Sequence, residues 1–196
     1  SATASPVELA NPKPILKKSE NTRIKENEVR ARSDSATSIE RKINIAGTGS
    51  KKIRFEEPVK KTDIRVHVVE FEEIFLDGNE GSIKISPLIN EPIVEEFEGK
   101  GFEVIQTLLI DLTGVENPYG QAATLRFLIS KAQLEESDTN NVVMGHYDDS
   151  WHELVTSYTG QTEDMYNFEA HTNGFSIFAI GVRKSPAESS ETGVPP

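Results

Sequence analysis

A mainly β chain is predicted, an antiparallel β-sandwich with one short helix and an extended N-terminal arm, and three observations carry that prediction. From residue 50 onward apolar residues recur with period two, and clusters of Gly, Asn and Asp interrupt the alternation at short intervals. No segment long enough for the helical crossovers of an α/β fold intervenes. The densest apolar stretch, HTNGFSIFAIGVRK (171–184), packs Phe175, Ile177, Phe178 and Ile180 into six residues and reads as the closing strand. The division that follows is an arm with a candidate first strand over 1–49, a β-sandwich domain over 50–182 and a flexible C-terminal tail over 183–196.

Residues 1–49 mix prolines, scattered charges and small polar side chains, and only INIAG (43–47) looks strand-like. Val7, Leu9, Ile15 and Leu16 supply a short apolar anchor, which a neighbouring subunit would bury by strand addition, so a homo-oligomer is the expected assembly. In DIRVHVVEF, Ile64, Val66 and Val68 are expected on one face, with Arg65 and His67 on the other. LDGNEG (76–81) is a turn. Pro87 and Pro92 suit edge strands or loops better than a central strand.

FEVIQTLLIDL (102–112) and ATLRFLIS (123–130), joined by TGVENPYG, read as an antiparallel pair lending its apolar face to the core. SKAQLEES is the expected helix: Ser130 as cap, Gln133 at capping-box spacing and Leu134 turned toward the body. Strands are then expected at NVVMGHYDD (141–149), SWHELVTSY (150–158), MYNFEAHT (165–172) and FSIFAIGV (175–182).

Composition excludes more than it names. Thirty-two acidic against 21 basic residues give a formal charge of -11, the wrong sign for a duplex-binding surface, so no nucleic-acid partner is expected. With no cysteine, thiol nucleophiles, disulfides and cysteine metal sites are excluded. No apolar run approaches the roughly 20 residues that span a bilayer, so no transmembrane segment is expected. The start at Ser1 is consistent with a processed or trimmed chain.

From about Ile53 to Gly181 the order of VIQTLLIDLTGVEN, ATLRFLIS, SKAQLEES, VVMGHYDDSWHEL and YNFEAHTNGFSIFAIG resembles the PGF-pre-PGF domain of archaeal surface proteins. That family has an ATIxF-like strand, a short helix, a Trp-containing strand and a terminal GFSxFAI motif. This chain departs from it in carrying Leu134 near the expected helix and VMGHYDD at the LYRY-like position. The resemblance implies an extracellular location at an archaeal cell surface and a role in a surface layer (S-layer) or sheath.

No catalytic residue emerges. His67, His146, His152 and His171 form no HExxH motif and read as polar strand or turn positions, so no transition-metal site is assigned. Asp77, Asn79 and Glu80, or Asp148 and Asp149 with Glu153, leave room for a structural calcium, against solvated acidic turns; no other cofactor is expected. The GxSxG elbow and the phosphate-loop and dinucleotide motifs are missing, so a non-enzyme is expected. Tyr147, Trp151 and Tyr158 are the candidate ligand-binding aromatics, although a tryptophan in a sandwich more often belongs to the core. Two functions remain: a self-assembling structural component whose arm contacts neighbouring subunits, and an adhesion or glycan-binding module of a larger surface protein.

Overall fold

The computed structural model describes residues 38–44, 51–55, 64–78, 80–88 and 92–184. Val7, Leu9, Ile15 and Leu16 lie outside these residues. Among the described residues the strands are β1 Ile39–Asn44, β2 Lys51–Arg54, β3 Val66–Phe71, β4 Glu80–Leu88, β5 Phe102–Thr113, β6 Ala123–Ser130, β7 Val142–Asp148, β8 Ser150–Glu153, β9 Thr156–Gln161, β10 Met165–Thr172 and β11 Ile177–Arg183, with one α-helix, α1, at Pro92–Glu98. They form two antiparallel sheets, ordered β1-β4-β5-β11-β7-β8 (sheet A) and β2-β3-β6-β10-β9 (sheet B). The fold is thus the expected sandwich, with β1 already part of it before residue 50.

The two strand orders share a logic. Sequence neighbours β1/β2, β4/β3, β5/β6 and β11/β10 hold corresponding places in the two sheets, and β8/β9 close their far edges. FEVIQTLLIDL and ATLRFLIS are therefore not an antiparallel pair, as their alternation suggested. β5 pairs with β4 and β11, whereas β6 pairs with β3 and β10. Alternation identifies the buried face of a strand, and both inner faces of a sandwich look alike by that test.

The main core lies between the sheets, where Ile43, Ile85, Ile110, Phe127, Phe168 and Phe178 are inaccessible or nearly so. A second cluster covers the outer face of sheet A, joining Leu109, Ile177 and Ala179 to Ile93 and Phe97 of α1. β11 lies inside sheet A and is buried on both faces: Phe178 and Ile180 point into the main core, Ile177 and Ala179 into the second. That double burial is the physical reason for the unbroken FSIFAI run, because a strand covered on both sides has no polar face to show.

Three local departures from the sequence expectation have identifiable causes. The β3–β6 register shifts between Val66 and Val68, a bulge at His67, so Val68 sits opposite the outward Arg126 while Val69 and Phe71 turn inward. SWHELVTSY divides into β8 and β9, on different sheets. β4 is an interior strand despite Pro87; its pairing with β1 ends at Ile85, so the missing amide falls beyond the reach of that neighbour.

The helix is also elsewhere. Residues 131–134 form a turn in which Ala132 N–H donates to Ser130 Oγ and Gln133 N–H to Ser130 O, and a 3-10 segment Glu136–Asn141 follows. Ser130 is still paired with Met165, and Lys131 N–H bonds Asp164 O, so the chain is held to sheet B where a helix would have to lift away. α1 instead occupies the segment opened by Pro92, which as a first helical residue has no hydrogen bond to lose. Ile93 and Phe97 share its buried face at i,i+4, and its seven residues are too few to hold without that packing.

Candidate functional site

The candidate aromatic residues are distributed between two places. Tyr147 is 1% exposed and Trp151 4%, both inside the second cluster, whereas Tyr158 is 39% exposed on the margin of sheet B. Trp151 packs edge-on to Tyr147 (5.4 Å, 73°) and tilted against Phe97 (4.8 Å), which in turn stacks on Phe102 at 4.5 Å and 9°. The indole N–H donates to Ile93 O at 2.8 Å, tying α1 to β8. The floor of this cluster is made of glycines: a Cβ on Gly145 would stand 2.6 Å from the Phe97 ring, and one on Gly181 3.0 Å from it. Sequence inspection missed this device, although two glycines inside otherwise apolar strands were the available signal.

The polar candidates form ties. Ser176, 2% exposed, donates its hydroxyl proton to Tyr147 O at 2.6 Å and lies 2.7 Å from His146 Nε2. With that proton committed to a carbonyl, the imidazole N–H is the donor to Ser176 Oγ. A general base requires the opposite polarity, in which the serine proton passes to the ring. The His146 ring also stacks on Phe178 at 4.7 Å. His152 meets Ser150 Oγ at 3.3 Å, and His171 meets Thr124 Oγ1 at 3.0 Å. Among the described residues no group of three or more His, Asp or Glu side chains is gathered for a metal ion; Asn79 of the acidic turn lies outside them.

The outer face of sheet B carries a ladder of alternating charge across neighbouring strands. Lys52 lies 3.1 Å from Glu70, Glu70 2.7 Å from Arg126, and Arg126 3.6 Å from Glu169. Hydrogen bonds from Lys52 and then Arg126 hold the Glu70 carboxyl below the usual carboxylate range, against the opposing effect of desolvation. Sequence periodicity could not pair these residues, because pairing depends on register across four strands.

The remaining feature is the edge of sheet B. β9, TSYTGQ, has neither a charged residue nor a proline, and most of its side chains are exposed on both faces. Tyr158 leans edge-on against Tyr166 and Phe168 (6.2 and 5.8 Å). On its other side β9 has no ladder partner among the described residues, so every second peptide group presents N–H and C=O away from β10. One irregularity, a register shift opposite Asn167/Phe168 near Gly160 (φ 141°), leaves Thr156–Tyr158 as its regular stretch. No protein-family model matches the chain, and searches of curated proteins and of solved structures returned no match.

Proposed function

We propose that this protein is a non-enzymatic, self-assembling structural module, acting through its sheet margins and N-terminal arm in a layer or sheath at an archaeal cell surface. The observation that carries the assembly reading is the uncharged, two-sidedly exposed edge of β9, which offers main-chain groups to another chain. The surface location rests on the resemblance of ATLRFLIS and GFSIFAIG to the PGF-pre-PGF pattern. The alternative, an adhesion or glycan-binding module, calls for an exposed aromatic platform, and of the three candidate aromatics Tyr147 and Trp151 are buried and Tyr158 is exposed. Calcium has no support in the arrangement of the described carboxylates.

Sedimentation of the purified full chain over a wide concentration range tests this function. Concentration-dependent growth beyond the monomer is expected. A monomer throughout, combined with saturable binding to an immobilised glycan array, would replace assembly with the adhesion reading.

A further inference from the structure

The charge of this chain is not spread evenly. Residues 132–182, which include β7 to β10 and β11 as far as Val182, contain nine Asp and Glu side chains and no Lys or Arg. Residues 1–37 have seven Lys and Arg against five Asp and Glu, which makes them net basic in a chain of net charge -11. Within them, 15–32 (ILKKSENTRIKENEVRAR) is free of proline and carries six basic residues against three acidic. Pro6, Pro12 and Pro14 all precede it. A strand added to an open edge must donate N–H groups, so the proline-free stretch is the better donor.

Building on the assembly function proposed above, we infer that residues 15–32 of one copy pair as an added strand with the β9 edge of a second copy, their lysines and arginines facing the acidic half of that sandwich. Ile15, Leu16, Ile24 and Val29 are the apolar side chains available to lie beside Tyr158 and Val155, both exposed. The contact is head-to-tail. The described chain enters at Ser38 beside β1, one margin of sheet A, whereas β9 closes the opposite margin of sheet B. Docking on its own β9 would carry the segment across the full width of a sheet face, while a second copy places the acceptor beyond the donor's own margin. Between Arg32 and Ser38 the chain can extend to about 20 Å at about 3.3 Å per residue, which sets the reach of the tether to a neighbouring copy. Because donor and acceptor are different surfaces on different margins, the contact is heterologous and continues into a ring or filament.

The decisive experiment mixes two full-length variants. T159K/Q161K places two cations on the acceptor edge, at positions that are exposed; K17E/K18E/R23E/K25E reverses the donor's charge. Each alone is expected to self-associate about 10-fold or more weakly than wild type, since like charges now face each other across the contact. Mixed at equal concentration they should recover association, to a 1:1 dimer at least, because the intact donor meets an intact acceptor and the acidic donor of the other variant meets a cationic acceptor edge. Raising salt from about 0.05 M to about 0.5 M should weaken the wild-type contact. If Q161K alone and the double lysine variant, both folded by circular dichroism, assemble as wild type does, or the mixture gives no dimer, the β9 pairing is overturned while self-assembly stands. If wild type never leaves the monomer, self-assembly itself fails.

Discussion

The two margins of the sandwich are topological counterparts, since at each of them consecutive strands hold the edges of the two sheets, β1 and β2 on one side, β8 and β9 on the other. Their chemistry differs. At the first margin Ile39, Ile43, Ile53 and Phe55 are buried in the main core, while Glu40, Arg41, Lys42, Lys51, Lys52 and Arg54 put charge on the edges. Arg41 sits over the Phe55 ring at 6.0 Å, and Lys52 joins the ladder on Glu70. At the second, Leu154 packs against the core, but β9 has no fully buried side chain and no charge. An edge strand that both supports the core and carries charge, as with the lysines of β1 and β2, is closed to other strands; β9, which does neither, leaves its edge available.

Substitutions separate the two margins in order of expected effect. Phe55→Ala should cost about 3–5 kcal/mol in chemical denaturation, because its ring is inaccessible and the cavity would lie where both sheets meet. A cost near that of an exposed residue would mean that the first margin is not structural. On the other side of the molecule, Gly145→Ala forces a methyl against the Phe97 ring and should cost about 1–3 kcal/mol, with loss of near-ultraviolet signal from Trp151. An unchanged spectrum and midpoint would show that α1 yields freely.

Trp151→Phe keeps most of the ring packing but removes the donor to Ile93 O, so a loss of about 1–2 kcal/mol is expected, with faster hydrogen exchange in α1. The smallest effect belongs to the ladder. Glu70→Gln should cost no more than about 1 kcal/mol at neutral pH, since its partners are half-exposed. Glu70 titrates below its ordinary value in the folded state, so its contribution is present above the unfolded pKa and is lost as pH falls through the lower folded pKa. Wild type and variant should therefore converge in acid denaturation profiles; a difference that grows with acidity contradicts the ladder.

Much of the strand inventory was legible in the amino-acid order. ATLRFLIS and MYNFEAHT coincide with β6 and β10 because each has one apolar face and turn residues at its ends. What period two leaves open is the sheet to which a face belongs, hence the separation of β5 from β6. The bulge at His67 was invisible because Val66, Val68 and Val69 are equally apolar, and only the partner strand decides which of them turns outward. α1 was hidden by Pro92 and by its dependence on a floor built from distant glycines. The candidate site was legible only in part: Trp151 was weighed as core, yet the significance of TSYTGQ appears once its neighbours are known to lie on one side.

The position of β11 also bears on how the molecule is made. In sheet A it separates β1-β4-β5 from β7-β8, and no other described strand joins those halves. During synthesis every strand of both halves precedes it, so the sheet cannot be completed until residues 177–183 have left the ribosome. Until then Leu108, Met144 and Val142, which become core residues, lack their neighbour. Pairings between residues far apart in sequence, such as Phe178 with Leu108, are slow to form, and exposed strand edges in the interval invite chaperones or premature contacts between nascent chains.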